Sequence, residues 1–231
     1  MAETYRFALV GNPNVGKSSL FNALTGLHQH TGNWPGKTVA TAAGTCSIDG
    51  AAVELIDLPG TYSLSARSPE EEVAAEYISF GSADAVIVVC DATALERNLY
   101  LALQVMEITD RVVICVNLMD EAGKRGITVD LPRLSQLLGV RVVGTSARQK
   151  KTLPPLLRAA VAAAQERHRK PVPVRYGEAI EAGLFAIEAR LDELLPGAMP
   201  NHRWIAMQLL TGGDTAIRAL EKKLERPLEE D

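Results

Sequence analysis

Up to about residue 166, apolar residues fall into short runs that are separated by longer amphipathic segments. The runs are rich in valine and isoleucine, which is typical of strands that are buried on both faces of a sheet. Six strands are predicted, at residues 7–10, 45–48, 53–56, 84–91, 111–116 and 140–143. Asp49-Gly50 lies between the second and third of these and predicts a hairpin turn, so one strand should run antiparallel to the others. The pattern therefore predicts an α/β fold around a six-stranded, mixed and mostly parallel sheet.

Helices are predicted in the segments between the strands. Ser68-Pro69-Glu70-Glu71 combines an N-cap serine with proline at the first helical position and glutamate at the third, and this capping box should begin a helix that ends near Phe80. The other helices predicted in this part are residues 19–24, 95–107 and 153–169. In such a fold, ligands are expected at the carboxyl ends of the strands.

The sequence changes character near residue 170. A charged segment broken by prolines, at residues 168–173, is followed by a helical rather than an alternating pattern. Helices are predicted at 178–195, at about 203–210 and after Gly212-Gly213, where Asp214 is the N-cap. The apolar stripe of the first helix is expected to be core and consists of Ile180, Leu184, Ile187, Leu191 and Leu194. The predicted domains are residues 1–168, of α/β type, and residues 171–231, a small all-α domain.

Composition and charge narrow the range of functions. The chain has 231 residues, 47% of them hydrophobic, and a formal net charge of −4, so binding of nucleic acid is not expected. Neither a signal peptide nor a membrane-spanning run is recognised. The three cysteines are Cys46, Cys90 and Cys115. The last two lie in predicted central strands and are expected to be buried, reduced thiols rather than metal ligands.

The most specific motif is GNPNVGKS at residues 11–18, which follows the first predicted strand and opens a helix. Glycines at this spacing let successive backbone N–H groups point at a polyphosphate. Lys17 is expected to reach the β and γ phosphates, and the Ser18 hydroxyl to bind the Mg²⁺ ion that bridges them. A chance glycine-rich turn before a helix is the alternative. The residues predicted to contact the nucleotide here are Gly11, Asn12, Pro13, Asn14, Val15, Gly16, Lys17, Ser18 and Ser19.

Two later segments predict that the base is guanine. Asn117-Leu118-Met119-Asp120 follows a strand, and the Asp120 carboxylate can accept hydrogen bonds from guanine N1–H and N2–H₂, which adenine cannot supply. In Ser146-Ala147-Arg148, the Ala147 N–H can donate to the guanine O6 atom. An ordinary polar loop could explain the first segment alone. The order of the phosphate loop and these two segments makes chance unconvincing.

The segments between these motifs are predicted to respond to the γ phosphate. In Asp57-Leu58-Pro59-Gly60, Asp57 can hold Mg²⁺ through water, and the Gly60 N–H can sense the γ phosphate. Gly36, Lys37, Thr38 and Val39 form the other predicted contact segment, in which the Thr38 hydroxyl would complete the magnesium shell. Thr31, Thr41 and Thr45 lie nearby and remain alternatives to Thr38.

Three segments together resemble one family. Residues 11–18, GNWPGKTV at 32–39 and DLPGTYSL at 57–64 look like the cytosolic G domain of FeoB, the bacterial ferrous iron transport protein family. The resemblance covers about residues 4–166 closely, and residues 171–231 resemble the family's regulatory helical domain more loosely. It implies a P-loop GTPase that binds GTP and GDP and regulates Fe²⁺ uptake at the cytosolic face of the bacterial inner membrane. It also implies a membrane domain beyond this part, small Feo accessory proteins as partners, and self-association.

The resemblance further implies an unusual catalytic site. Thr61 follows the D-x-x-G segment, where a Ras-like GTPase carries the glutamine that orients water. Hydrolysis is therefore expected to be slow, or the water is placed by backbone groups and a cation. The family assigns a potassium ion to an asparagine at the place of Asn14 and to backbone carbonyls, here around Gly32 and Trp34, which implies activation by K⁺. Capping of the loop turn is the other interpretation of Asn14. The residues expected to take part in catalysis are Asn14, Lys17, Thr38 and Gly60.

One departure and one rival function remain open. Lys37 stands where the family pattern has a small apolar residue. It is either a solvated loop lysine, or its ammonium group approaches the phosphates or competes with the activating cation. The rival function is a soluble Era-like GTPase of ribosome assembly or RNA modification. Such proteins share the phosphate loop and the N-x-x-D segment, but they usually append an RNA-binding module, and the acidic balance and short helical tail argue against one.

Overall fold

One mixed sheet of seven strands forms the centre of the molecule. The computed structural model describes residues 3–26, 29–34, 39–65, 68–166, 171–194, 202–211 and 221. The strands are β1 (Thr4–Gly11), β2 (Gln29–Asn33), β3 (Ala40–Ile48), β4 (Ala51–Asp57), β5 (Ala85–Asp91), β6 (Val112–Asn117) and β7 (Arg141–Gly144). Their order is β2-β3-β4-β1-β5-β6-β7. β3 pairs antiparallel with β2 and β4, whereas β4, β1, β5, β6 and β7 pair in parallel, as the hairpin at Asp49-Gly50 predicts.

The prediction of six strands was wrong by one strand, β2. Its sequence, Gln29-His30-Thr31-Gly32-Asn33, contains no large apolar residue, and β2 lies at the edge of the sheet with β3 as its neighbour. A polar edge strand buries no face, so it leaves no alternating pattern in the sequence. β3 begins at Ala40, earlier than the predicted strand at residues 45–48, because its first residues likewise include no large apolar side chain.

Eight α-helices surround the sheet within the described ranges. They are α1 (Lys17–Thr25), α2 (Pro69–Phe80), α3 (Leu95–Ile108), α4 (Met119–Lys124), α5 (Leu131–Leu138), α6 (Leu153–Gln165), α7 (Glu178–Leu194) and α8 (His202–Leu210). The capping box of α2 is confirmed, since the Glu71 N–H donates to Ser68 Oγ at 3.2 Å. The short helices α4 and α5 were not predicted. A signal existed for α5, because Asp130 caps it by accepting from the Arg133 N–H at 2.9 Å.

The sheet is buried on both faces, which confirms the interpretation of its valine-rich strands. Alternate residues of β1 belong to two separate cores. Phe7 and Leu9 pack with residues of α1 and α6, and Ala8 and Val10 pack with residues of α2 and α3. Helices therefore cover both faces, and the loops at the carboxyl ends of the strands are left to form a site.

Helices α7 and α8 pack against each other, and α8 packs against α3. Leu184 and Leu191 of the predicted stripe are buried in the same core as Leu101 of α3, whereas Ile180 is 45% exposed and does not join it. The predicted third helix with Asp214, the side chain of Leu194, and residues 167–170 at the predicted domain boundary lie outside the described residues. None of the helices in the described ranges is both long and apolar enough to cross a membrane.

The three thiols differ in their exposure. Cys90 in β5 and Cys115 in β6 are fully buried, as expected, and Cys46 in β3 is half-buried. Burial raises the pKa of Cys46 to about 11 and that of Cys115 to about 12, and it raises the pKa of Cys90 as well. Since the thiolate is the nucleophile, all three should react slowly in the folded chain.

Alkylation of the folded chain is expected to modify Cys46 first. Cys90 and Cys115 should react only when the sheet opens, because β5 and β6 are central strands. Mass spectrometry after iodoacetamide treatment along a urea series would follow each site separately. The Cys46→Ser variant is the control, and its labelling should begin only at urea concentrations that unfold the chain. Early modification of Cys115 would contradict this expectation.

Candidate nucleotide-binding site

The loop between β1 and α1 is tight, and its two motif glycines serve different purposes. Gly16 has a left-handed backbone with φ 78°, and Asn14 has φ 67°, a region that glycine and asparagine tolerate best. Gly11 is required for space, since a Cβ atom there would lie 2.6 Å from the carbonyl oxygen of Val89 in β5. The loop thus turns sharply while it packs against the neighbouring strand.

Lys17 is buried at the start of α1 and is bound by the D-x-x-G segment. Its Nζ atom donates to the Leu58 carbonyl at 2.5 Å and forms an ion pair with the Asp57 carboxylate. Only 9% of the Lys17 side chain and 14% of the Asp57 side chain are exposed. Burial raises the pKa of Asp57, and the charge and hydrogen bond of Lys17 oppose this rise. Two motifs that were predicted separately are therefore in direct contact.

Backbone hydrogen bonds also hold the D-x-x-G segment against the phosphate loop. The Leu58 N–H donates to the Leu9 carbonyl at 2.9 Å, and the Thr61 N–H donates to the Gly11 carbonyl at 3.2 Å. These bonds follow from the parallel pairing of β1 with β4, in which Leu9 is the partner of Asp57. The register of two strands thus sets the distance between the phosphate loop and the segment that is predicted to sense the γ phosphate.

Gly60 and Thr61 differ in their exposure and in the groups that they contact. Gly60 is exposed and lies over Pro13, because a Cβ atom on Gly60 would be 3.5 Å from the Pro13 Cα atom. Thr61 is buried, and its hydroxyl donates to the Ser63 carbonyl at 2.7 Å. The hydroxyl proton of Thr61 is therefore engaged within its own loop.

Asn117 joins the predicted base reader to the phosphate loop. Its Nδ2 atom donates to the Val15 carbonyl at 3.0 Å, and its Oδ1 atom accepts from the Thr145 hydroxyl at 3.1 Å. The approach is close, since a Cβ atom on Gly16 would lie 2.7 Å from Asn117 Nδ2. Leu118 then takes a left-handed backbone with φ 61° and begins the turn into α4. Asn117 thereby braces the phosphate loop.

Asp120 is positioned by the segment after β7. The Ser146 hydroxyl donates to the Asp120 carboxylate. That hydrogen bond lowers the pKa of Asp120 against the smaller effect of desolvation, so the carboxylate stays ionised. The Met119 N–H donates to the Thr145 carbonyl at 3.1 Å. The sequence predicted Ser146 only as a nucleotide contact, and it predicted no role for Thr145. The two residues come immediately before Ala147 in the chain.

The other predicted contact segment begins at the end of β2. Gly32 pairs with Thr41 of β3, and the Trp34 N–H donates to the Val39 carbonyl at 2.7 Å. The Trp34 ring packs edge-on against Tyr77 of α2, with ring centroids 5.3 Å apart. The structure thus describes both ends of this segment. The predicted site residues Gly36, Lys37 and Thr38 lie outside the described residues.

The described site residues gather at one edge of the sheet, at the carboxyl ends of β4, β1, β6 and β7. Residues exposed at this edge are Asn14, Ser18, Ser19, Gly60 and Arg148. Those that are half-buried include Pro13, Pro59, Met119 and Ala147, and those that are buried include Asn12, Val15, Leu58 and Asn117. The structure therefore brings the phosphate loop, the D-x-x-G segment and the base reader into one continuous surface.

Comparisons with known proteins agree with this geometry. A family model described as ferrous iron transport protein B matches residues 5–160. The Fe(2+) transport protein A/Fe(2+) transporter FeoB fusion protein of Porphyromonas gingivalis is 42% identical over 212 residues, which are 90% of this chain and 25% of the length of that protein.

Solved structures of the cytosolic domain of T. maritima FeoB have the same fold. Its GDP form I is 37% identical, with a TM-score of 0.88, over 100% of this chain and 89% of that chain. Its GMPPNP form is also 37% identical, with a TM-score of 0.87, over 98% of this chain and 88% of that chain.

Proposed function

The chain belongs to the ferrous iron transport protein B family, and we propose that it is the part of a bacterial Fe²⁺ transporter that binds and hydrolyses GTP. The observation that carries the proposal is the hydrogen bond from Asn117 to the Val15 carbonyl. It holds the base-reading and phosphate-binding segments at a fixed spacing. The GDP and GMPPNP forms of the T. maritima relative support a guanine nucleotide as the ligand. The family match favours a transporter over the Era-like alternative.

Guanine recognition is assigned to Asp120 and Ala147. The carboxylate of Asp120, kept ionised by Ser146, accepts from the N1–H and N2–H₂ groups of guanine. The half-exposed Ala147 offers its N–H to the O6 atom. Adenine presents an N6–H₂ donor in place of the O6 acceptor and lacks the N2–H₂ group, so it would leave these groups unpaired.

Phosphate binding is assigned to the 11–18 loop, with Lys17 as the cation. The ammonium group of Lys17 has three N–H donors and uses two of them for Asp57 and Leu58, which leaves one for a phosphate oxygen. A hydrogen bond between the ammonium and a charged phosphate is stronger than one to a neutral carbonyl. Exposed hydroxyls of Ser18 and Ser19 lie at the first turn of α1, next to the same loop.

Magnesium is assigned to Ser18, Thr38 and Asp57. Hydroxyl and carboxylate oxygens are suitable ligands for this ion, and the exposed Ser18 and the Asp57 carboxylate lie at the same edge of the sheet. When bound, Mg²⁺ neutralises charge on the β and γ phosphates. The strand pairs favour Thr38 over its rivals, since Thr31, Thr41 and Thr45 lie within the β2–β3–β4 ladder.

Hydrolysis is proposed to be slow. Thr61 occupies the position of the water-orienting glutamine, and its hydroxyl donates to the Ser63 carbonyl. The exposed backbone of Gly60, next to Pro13, is then the proposed contact of the D-x-x-G segment with the γ phosphate. A site that positions water through backbone groups alone lacks the side chain that Ras-like enzymes use for this purpose.

Potassium is assigned to Asn14 with the carbonyls around Gly32 and Trp34. The Asn14 side chain is exposed, and within the described part of the chain it makes no hydrogen bond that would cap the turn. An amide oxygen and backbone carbonyls are suitable ligands for a hard cation. The ion would place positive charge near the phosphates, as an arginine finger does.

Removing the Asn14 side chain is expected to abolish the stimulation of GTP hydrolysis by K⁺ while GTP affinity is largely retained. Because Asn14 has φ 67°, alanine there also adds backbone strain of about 1 kcal/mol. Asn14→Gly removes the amide without that strain and is the matched variant. Hydrolysis rates of both variants in KCl and NaCl measure the effect. Persistent K⁺ stimulation in Asn14→Gly would assign the cation elsewhere.

The direct test of the proposed function measures nucleotide binding and hydrolysis on the 231-residue chain. GTP and GDP should bind, and ATP should not compete with them. GTP should be hydrolysed slowly, and faster in potassium than in sodium. Failure of GTP to bind in the presence of Mg²⁺ would refute the proposal.

The remaining parts of the proposal concern location and partners. Residues 1–168 would be the GTPase domain and residues 171–231 a helical regulatory domain. A membrane domain encoded beyond this part would place both at the cytosolic face of the bacterial inner membrane. The fusion of transport protein A to the P. gingivalis relative supports a small accessory protein as a partner. Self-association is proposed from the family resemblance alone.

A further inference from the structure

Helix α3 contacts the segment that follows the D-x-x-G motif. The N–H of Leu64 donates to Gln104 Oε1 at 2.8 Å, and the Leu64 side chain is 2% exposed. In the first turn of α3, the Arg97 guanidinium lies over the Tyr62 ring, 6.0 Å from its centroid. We call residues 60–64 the sensor loop, because Gly60 is its proposed contact with the γ phosphate. The sensor loop therefore contacts α3 through one partly buried backbone donor and one aromatic ring.

The last turn of α3 contacts the carboxy-terminal helices. Glu107 accepts from the Val174 N–H at 3.2 Å and forms an ion pair with Arg203 of α8 at 3.4 Å. Arg203 also donates to the Val174 carbonyl at 2.9 Å and to Glu181 of α7 at 2.8 Å. The Glu107 side chain is only 10% exposed. One guanidinium thus ties α3, α7, α8 and the segment before α7 together.

Gln104 and Glu107 are three positions apart, so they lie on neighbouring turns of the same side of α3. We propose that α3 transmits the nucleotide state of the sensor loop to α7 and α8, with Gln104 as the positioning residue that contacts the sensor loop and the Glu107–Arg203 pair as the contact with α8. This inference rests on the proposed function, because it needs a nucleotide that acts on Gly60.

The Leu64–Gln104 and Glu107–Arg203 contacts are expected to move together, because breaking either contact alone is costly. A displacement of the sensor loop towards a γ phosphate would leave the Leu64 N–H and the Gln104 oxygen without partners, unless α3 moves with the loop. A displaced α3 would likewise separate the largely buried Glu107 from Arg203, unless α8 follows. A helix moves as a stiff unit, so the contacts at Gln104 and Glu107, on neighbouring turns of α3, respond together. The nucleotide biases the whole arrangement through its different contacts with the sensor loop in the two states.

Two tryptophans allow both ends to be observed in one sample. The chain contains two, Trp34 and Trp204. Trp34 lies at the end of β2 and reports the segment that leads to Thr38. Trp204 directly follows Arg203 in α8 and is 5% exposed. Fluorotryptophan labelling of the complete chain therefore gives one ¹⁹F resonance for each region, and replacement of GDP by GMPPNP should shift both.

The decisive variant is Gln104→Met, which keeps the length of the side chain and removes the acceptor for Leu64. It should retain the nucleotide-dependent shift of Trp34 and lose that of Trp204. Gln104→Glu keeps an acceptor oxygen and should retain both shifts. Glu107→Gln is the second variant, and it should diminish the Trp204 shift alone. Gln136→Met, at an exposed position of α5, is the matched control and should leave both shifts unchanged.

The outcomes separate the inference from the proposed function. A Trp204 resonance that does not respond in the unmodified chain while Trp34 responds would overturn the inference. So would a full Trp204 response in Gln104→Met. Loss of both shifts in Gln104→Glu as well as in Gln104→Met would reduce Gln104 to a packing role and also overturn it. If neither GDP nor GMPPNP binds in a separate titration, the proposed function is refuted and the inference is refuted with it.

Discussion

Lys17→Ala is expected to lower the affinity for GTP by about 100-fold or more, which corresponds to roughly 3 kcal/mol. The reason is the loss of hydrogen bonds from an ammonium group to phosphate oxygens, each of which contributes about 1.5–3 kcal/mol. Calorimetric titration with GMPPNP in the presence of Mg²⁺ measures the effect without hydrolysis. Lys124→Ala is the matched control, since Lys124 is 65% exposed and paired with Glu121 on α4. An affinity of Lys17→Ala close to that of the unmodified chain would contradict the assignment of the loop.

The same variant should be less stable, because it leaves the Asp57 carboxylate without its partner. Removing one member of a largely buried pair is expected to lower the free energy of unfolding by about 2 kcal/mol at pH 7. Burial already raises the pKa of Asp57 above its ordinary value, and Lys17 opposes that rise. Without Lys17 the folded-state pKa rises further, so protonation relieves the unpaired charge as the pH falls towards 4. Urea unfolding at both pH values should show that the deficit narrows in acid, and binding must be measured where the variant is folded.

Asp120→Asn is expected to change the preferred base from guanine to xanthine. The carboxylate can accept from two guanine donors, whereas an asparagine amide can accept one and donate one, which suits the C2 carbonyl of xanthine. GTP affinity should fall by roughly two to three orders of magnitude, as expected when buried polar groups lose their partners. The structure explains why the loop should survive the change. The Ser146 hydroxyl, which donates to Asp120, can donate equally to the carbonyl oxygen of asparagine.

Competition between GTP and XTP for a fluorescent nucleotide measures this preference. Asp110→Asn is the control, since Asp110 is an exposed residue between α3 and β6. It should leave the ratio of the two affinities unchanged. A variant at Asp120 that still prefers GTP would show that another group reads the base.

More of the site than of the surrounding fold could be predicted from the sequence, because the site's motifs depend on the spacing of neighbouring residues. A phosphate loop needs a strand, a glycine-permitted turn at Gly16 and a helix that begins at Lys17, and all of these are short-range features of the chain. The sheet was predicted from runs rich in valine, which are typical of strands that are buried away from water. β2 was missed because its five residues, Gln29–Asn33, lie at an edge and bury no apolar face.

Contacts between distant residues were beyond prediction. The Lys17–Asp57 pair joins residues 40 positions apart, and it depends on the register of β1 against β4. Likewise, Ser146 reaches Asp120 only because β6 and β7 are neighbours that end at the same edge. Each side chain was recognised as polar and near a motif, but its partner follows from tertiary packing. The roles of Thr38 and of the potassium ligands remain predictions.

Gly16 also determines which sequence changes the loop can tolerate. Any side chain there meets two obstacles, a backbone at φ 78° and the Nδ2 atom of Asn117 at 2.7 Å from the added Cβ. A smaller residue at position 117 would relieve the second obstacle and not the first. It would also forfeit the bonds that Asn117 makes to Val15 and Thr145. A substitution at Asn117 can therefore relieve only part of the cost of a side chain at Gly16, so the two positions are coupled and the double variant should lose less nucleotide affinity than the sum of the two single losses.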